Sequence, residues 1–340
     1  MRTVRWGIIG AGEIAGRAMG PALTQAAGTR LTAVYSRSLD KARSFAGRYN
    51  AEKAYDSLDK MLRDPELDVV YIATPNSLHA AQTVQAAEAG KHVLCEKPMA
   101  MTVRDAERMI EACDRNRVKL AVVYQNRYHP AHFEARRHIQ SGALGDIDFA
   151  SAQLCRGFAR GEHGSGWRID PEMTGSGAIV AQAVHPIDLL RFLLGAEVEE
   201  VQAMTDESPP GRPVEEMVYS LLKFSNGVHA TVVAGTLVPR YDNDVLLYGT
   251  KAKIVCKGTL GVPHKGQPGE FSIEGDTVND RMRFPSSSAQ DKMVRLVEDF
   301  NQSVVENTEL GVSGYNGLQM VRIATALQAS SRLGKAVEIG

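Results

Sequence analysis

The stretch Val4-Arg5-Trp6-Gly7-Ile8-Ile9-Gly10-Ala11-Gly12-Glu13-Ile14-Ala15-Gly16 decides how this chain is read. Val4 to Ile9 is a short apolar run of the kind that makes a strand buried on both faces, and residues 14–26 carry a helical pattern. The turn between them fits G-x-G-x-x-G/A, with Ala15 in the third small position. The first glycine makes the tight turn, the second lets the main chain approach a pyrophosphate, and the third small residue permits close helix packing. The helix start adds N–H donors and the positive end of a dipole. Alone, the string is weak evidence. Between a strand and a helix, at the head of an alternating series, it points to a dinucleotide, with Gly10, Gly12, Glu13 and Ile14 lining the cofactor.

Outward from that turn, strands at 31–35, 69–73, 92–95 and 119–124 alternate with helices at 40–49, 78–89 and 103–115. Short apolar strands separated by helices predict right-handed crossovers and a parallel sheet covered on both faces. The texture then changes. A helix is expected over 132–141, a glycine-rich stretch runs from 157 to 177, and a second helix covers 186–194. Period-two runs at 217–224, 228–234, 245–248 and 253–256 read as strands, with Asn226-Gly227 as a hairpin turn. Segments 209–211 and 263–269 read as surface loops, and a last helix covers 316–333. The expected fold is α/β: a Rossmann domain over 1–125, then an α+β domain over 126–340 with a large, open, mostly antiparallel sheet.

The 340 residues suit two domains, and 44% hydrophobic with 23% charged residues is ordinary for a globular protein. A formal net charge of -1 gives no broad field for nucleic acid or an anionic membrane, so neither is expected as a partner. Cys95, Cys113, Cys155 and Cys256 are far apart with no C-x-x-C spacing, which argues against a zinc site or a disulfide framework. No run approaches the ~18 continuous apolar residues of a membrane span, and no signal-peptide pattern opens the chain. A cytoplasmic location is the expectation. No His/Asp/Glu cluster has catalytic metal spacing, and there is no G-x-S-x-G elbow.

The second strand runs into Tyr35-Ser36-Arg37-Ser38. An NAD site usually places a carboxylate here for the ribose hydroxyls, and none stands at 36 or 37. Arg37 can pair with a 2′-phosphate, with Ser36 and Ser38 as hydrogen-bond donors, while Asp40 can still reach a ribose. The reading favours NADP over NAD.

Further on stand Ala73-Thr74-Pro75-Asn76-Ser77-Leu78-His79 and Ala89-Gly90-Lys91-His92-Val93-Leu94-Cys95-Glu96-Lys97-Pro98. Together with Asn126-Arg127-Tyr128-His129-Pro130, Trp167-Arg168, His185-Pro186-Ile187-Asp188 and Ser331-Arg332-Leu333-Gly334, these strings resemble the glucose–fructose oxidoreductase/inositol dehydrogenase/rhizopine catabolism family. The resemblance spans essentially the whole chain. It implies Lys97 as the catalytic acid/base, often with a cis bond before the proline, and His185 as the group that holds the reacting oxygen. It also puts Thr74, Asn76, Glu96 and Lys97 beside the cofactor, Tyr128 and Asp188 near substrate, and homodimers or homotetramers on paired C-terminal sheets. Chemistry agrees for Lys97: the end of a parallel strand borders the crevice where open α/β sheets bind ligands, and an ammonium there can exchange a proton with a substrate oxygen. For Asp188 the favoured reading is structural, as a helix-start charge or an orienter of its neighbours, rather than a substrate contact. Arg168 can fork onto a carboxylate or sugar hydroxyls and Trp167 can stack on a sugar face, or the pair simply anchors a loop.

One position departs from the family pattern. Many relatives carry D-x-G-x-H, but this chain has Ala181-Gln182-Ala183-Val184-His185. Either Lys97 and His185 suffice, or Asp170 or Glu172 substitutes, or the chemistry has changed. The expected activity is an NAD(P)-dependent dehydrogenase/reductase acting on CH–OH groups of a sugar, cyclitol or related polyol. The alternatives are a tightly bound cofactor supporting redox-assisted elimination or epimerisation, and a non-catalytic dinucleotide sensor.

Overall fold

The computed structural model describes residues 2–158, 166–206, 213–238, 242–261, 267–286 and 288–340. The chain forms two compact units. The first comprises Met1–Val123 with Met293–Val321, and the second Tyr124–Lys292 with Arg322–Gly340.

In the first unit, strands β1 (Val4–Ile9), β2 (Thr29–Tyr35), β3 (Lys53–Tyr55), β4 (Val69–Ile72), β5 (His92–Cys95) and β6 (Leu120–Val122) form one sheet in the order β3-β2-β1-β4-β5-β6. Every neighbouring pair is parallel. This is the doubly wound order, in which the switch point lies between β1 and β4. Trp6, Ile8, Ile9 and all of β4 are buried, as expected of strands covered on both faces. The helices between strands start where the chain supplies caps. The Ser38 hydroxyl accepts from Lys41 N at the start of Leu39–Tyr49, and Thr102 does the same for Asp105 N ahead of Val103–Arg115.

The helix after β1 is less regular than its pattern predicts. It begins as a π-helical turn, Ala15–Met19, and continues as an α-helix over Gly20–Gln25. Pro21 explains the change. A proline has no N–H for the preceding turn, so it is tolerated at the first α-helical positions, and the wide turn precedes it.

The sequence pattern alone assigned everything after residue 125 to a second domain, whereas Met293–Val321 packs with the first unit. The Trp6 indole donates to Asn301 Oδ1 at 2.9 Å, and its ring lies against Phe300 with centroids 5.5 Å apart. Hydropathy shows that a helix has an apolar face but not which distant sheet it covers.

The second unit holds β7 (Ile147–Cys155), β8 (Val198–Thr205), β9 (Met217–Phe224), β10 (His229–Gly235), β11 (Val245–Gly249), β12 (Ala252–Lys257), β13 (Gly269–Gly275), β14 (Asn279–Phe284) and β15 (Val337–Glu338). They form a nine-stranded sheet in the order β14-β13-β12-β11-β7-β10-β9-β8-β15. Among the described residues only β7 and β10 pair in parallel; the other pairs are antiparallel. Asn226-Gly227 turns β9 into β10, and Gly227 adopts φ +86°. Alternation divides the sheet faces. In β9, Val218, Ser220, Leu222 and Phe224 are buried while Tyr219 and Leu221 are exposed. The helix Val184–Leu194 packs against β7. The helical run Pro171–Leu194 is long and apolar enough for a membrane span, yet 78% of its apolar window is buried. The expected loop at 209–211, and residues 263–266 of the other, lie outside the described residues, as do 159–165 of the glycine-rich stretch.

Candidate active site

The parallel register aligns the strand ends. Ile9 pairs with Tyr35 and Ile72, Ile72 with Cys95, and Cys95 with Val122, so Ser36, Gly10, Ala73, Glu96 and Val123 leave the sheet in one row. The main chain extends the ladder one step further: Gly10 N donates to Tyr35 O, Ala73 N to Ile9 O, and Glu96 N to Ile72 O. Each of the three turns that the sequence singled out therefore starts at the same edge.

Gly10 has φ +105°, and a Cβ there would lie 2.9 Å from Ala73 O. Only glycine makes this turn. Gly12 is different, because a Cβ built on it meets nothing within 4 Å. The open space above Gly12 leaves room for the close approach of a phosphate, so the residues present fit a dinucleotide. Ala15 is buried at the helix start, and Glu13 is exposed beside Arg17. At the end of β2, Arg37 is exposed, and Ser38 is occupied as a helix cap. Ser36 Oγ accepts from Ser38 N at 3.4 Å, closing the turn that presents Arg37.

Beyond β4, Thr74 Oγ1 donates to Gln82 Oε1 at 2.6 Å and Asn76 is buried in a 3-10 turn, Asn76–Leu78. Beyond β5, the Lys97–Pro98 bond is cis and Lys97 is half-buried. Glu96 is buried. Its Oε1 accepts from the Tyr71 hydroxyl at 2.6 Å, and its Oε2 accepts from Lys97 N at 3.3 Å. Burial pushes the Glu96 carboxyl up, while the Tyr71 hydroxyl and the Lys97 charge hold it down. The sequence reading missed Tyr71, although a tyrosine in a strand buried on both faces must find a partner for its hydroxyl.

In the second unit, His185 stands in the first turn of Val184–Leu194, its ring edge-on to Tyr124 at 6.3 Å between centroids. Ala181 lies in the π-helical turn Ile179–Ala183 just before it. Glu215, another residue the sequence reading missed, closes the start of this helical run. Its Oε1 accepts from Ser176 Oγ, Gly177 N and Ile179 N, and a Cβ on Gly177 would collide with Glu215 O. Asp188 is 1% exposed, and both its oxygens accept from Arg127, at 2.8 Å from Nε and 2.6 Å from an η nitrogen. Arg127 belongs to the 3-10 turn Gln125–Tyr128, which also carries Tyr128, itself buried with its ring edge-on to Phe133. Lys292 ties the same turn by donating to Asn126 Oδ1, Thr259 O and Gly261 O, and burial pushes its ammonium down to about 7. The Arg168 guanidinium lies over its neighbour's indole, 4.7 Å from the Trp167 ring centroid. Asp170 caps the short helix Pro171–Thr174, accepting from Glu172 N, and Glu172 is exposed.

All four cysteines are buried, and burial pushes each thiol up, Cys113 to about 12 and Cys155 to about 11. Such thiols are poor nucleophiles. Among the described residues no group of three or more His, Cys, Asp or Glu is placed to hold a metal.

Comparison with known proteins agrees with this architecture. Residues 4–124 match the oxidoreductase family with an NAD-binding Rossmann fold, and residues 132–255 match the Gfo/Idh/MocA C-terminal domain. An oxidoreductase from Rhizobium meliloti is 35% identical over 263 residues, 76% of this chain and 75% of its own length. The 1,5-anhydro-D-fructose reductase of Ensifer adhaerens is 28% identical over 336 residues, 98% of each chain. The crystal structure of aldose-aldose oxidoreductase from Caulobacter crescentus, complexed with glycerol, has a TM-score of 0.87 at 26% identity, covering 99% of this chain and 100% of that one. With its doubly wound nucleotide-binding unit and its open-sheet unit both matched, the chain belongs to the Gfo/Idh/MocA family of NAD-binding oxidoreductases.

Proposed function

We propose that this protein is an NAD(P)-dependent dehydrogenase/reductase for a sugar, cyclitol or related polyol, with Lys97 as its acid/base. The observation that carries the reading is the row of strand ends, which puts Gly10, Thr74 and Lys97 on three turns leaving one sheet edge. A bound nicotinamide supplies or accepts the hydride at the carbinol/carbonyl carbon. Lys97 Nζ gives the accompanying proton to the substrate oxygen during reduction and takes it back during oxidation. Glu96, held by Tyr71, keeps a carboxyl beside that lysine. His185 is proposed to hold the reacting oxygen, with Asp188 acting through Arg127 to keep the helix and the Tyr128 turn in place. Gly12, Glu13, Ile14, Thr74 and Asn76 are proposed cofactor contacts; Trp167 and Arg168 are proposed substrate contacts.

An exposed Arg37 with no carboxylate at 36 or 37 supports NADP as the preferred dinucleotide. Sugar chemistry is supported by the relatives that are named sugar oxidoreductases. A homo-oligomer paired through the open sheet face is supported by exposed Met204, Tyr219, Leu221 and Tyr248; Met204 and Tyr219 are cross-strand partners. A second reading, redox-assisted elimination or epimerisation, is favoured by Ala181, which leaves no acid four residues before His185.

The test is an absorbance screen at the NAD(P)H band against sugars, inositols and anhydro-sugars with both dinucleotides, on wild type and Lys97→Ala. Turnover with NADPH preferred, and a loss of at least about 100-fold in Lys97→Ala, is the expected result. Unchanged activity in Lys97→Ala overturns the acid/base assignment. Cofactor that survives gel filtration, with product formed but no net NAD(P)H change, selects the second reading.

A further inference from the structure

His79, the histidine of the T-P-N-x-x-H string, takes no part in the mechanism above. It opens the helix His79–Glu88, is fully buried, and its ring bridges two main-chain carbonyls. Nδ1 lies 2.8 Å from Pro98 O and Nε2 lies 2.9 Å from Thr74 O. A carbonyl only accepts, so each contact needs an N–H on the ring. A neutral imidazole bonds one carbonyl and an imidazolium bonds both. Burial and the Lys97 charge push the proton off the ring, while the two carbonyls draw it on. Burial outweighs the carbonyls, so the neutral ring donates to one of the two and its other nitrogen lies at contact distance from the second.

What the ring spans matters because of what the turns leaving β4 and β5 carry. Pro98 follows Lys97 directly, and Thr74 opens the segment that leads into the 3-10 turn at Asn76. On the other flank of Lys97, Glu96 is held by Tyr71, whose hydroxyl donates at 2.6 Å. The chain on both sides of the lysine is thus tied by buried side chains: Tyr71 holds the Glu96 carboxylate that accepts from Lys97 N, and the His79 ring meets Pro98 O. A loop at a strand end has no ladder partners of its own, so such ties decide the direction in which its side chains point.

We propose that His79 is a positioning residue that sets the aim of Lys97 by clamping the Pro98 carbonyl to the Thr74 carbonyl. The proposal rests on the reading of Lys97 as acid/base, but its test does not depend on turnover. Wild type, His79→Gln and His79→Leu are reductively methylated with ¹³C-formaldehyde, and the dimethyl-Lys97 resonance is identified by its loss in Lys97→Arg. That resonance is then titrated by NMR with and without NADPH.

His79→Leu removes both ring contacts and is expected to shift the Lys97 resonance and its titration midpoint. His79→Gln keeps an amide N–H donor and is expected to restore both toward wild type; His79→Met, which fills the site without a donor, stands in for His79→Leu if that variant does not fold. A Lys97 titration unmoved in His79→Leu, or unmoved in His79→Met where His79→Leu does not fold, overturns the clamp and leaves His79 a packing residue. Unchanged activity in Lys97→Ala would instead remove the lysine's catalytic role and leave this measurement standing.

Discussion

An added Cβ at Gly10 would lie 2.9 Å from a carbonyl oxygen, whereas one at Gly12 meets nothing within 4 Å. The two glycines of one motif therefore differ: the fold demands Gly10, whereas Gly12 is under no such demand and is the proposed contact to the ligand. Gly10→Ala is expected to cost about 1–3 kcal/mol in stability, because an L-residue at that φ is strained before any clash is counted. Gly12→Ala is expected to leave thermal stability at wild type within about 0.5 kcal/mol and to weaken NADH and NADPH binding about tenfold or more. Thermal melts paired with dinucleotide fluorescence titrations separate the two; an unchanged affinity in Gly12→Ala would mean that the space above Gly12 is not where phosphate sits. The motif was legible in the sequence as glycines. Which glycine is structural was not, because that depends on where Ala73 arrives from a strand some sixty residues later.

At the scale of elements, the Gln125–Tyr128 turn and the helix Val184–Leu194 are joined by the Arg127–Asp188 pair. Both side chains are almost fully buried, and removing one strands the charge of the other. Asp188→Ala is expected to destabilise the protein by about 3–5 kcal/mol, and the paired change Arg127→Met with Asp188→Leu to recover most of that loss. Urea unfolding of the three proteins is the measurement; a double variant as unstable as the single one would mean that the pair does more than satisfy itself. Sequence reading favoured a structural or orienting role for Asp188 but could not name its partner, since nothing local says that an arginine sixty-one residues away will reach it. The π-helical turn after Gly12 was similarly unreadable from periodicity, although Pro21 held the clue.

For the whole molecule, the consequential fact is that the first unit is discontinuous. Trp6 is buried against Phe300 and hydrogen-bonded to Asn301, both from the returning segment Met293–Val321. Gly317 in that segment packs so closely that a Cβ would meet the Met99 sulfur at 2.5 Å. A fragment of residues 1–123 is expected to lack cooperative unfolding and to show Trp6 fluorescence shifted to the red, despite containing the whole parallel sheet. Losing a buried aromatic contact of this kind costs about 3–5 kcal/mol, a large share of a domain's stability. A fragment that melts sharply with blue-shifted fluorescence would refute it.

The sequence by itself determined the two sheet types, the dinucleotide turn, the family, and the identity of the residues offered for catalysis. These are written in local spacing: period-two alternation, apolar runs between helices, and glycines at fixed intervals. Only the tertiary structure decided that Gly12 and not Gly10 faces open space, that Arg127 occupies Asp188, that Tyr71 and His79 hold the flanks of Lys97, and that Phe300 completes the core around Trp6. Each of those is a contact between residues far apart in the chain. Its energy comes from burial and hydrogen-bond satisfaction at a meeting point that no local pattern encodes.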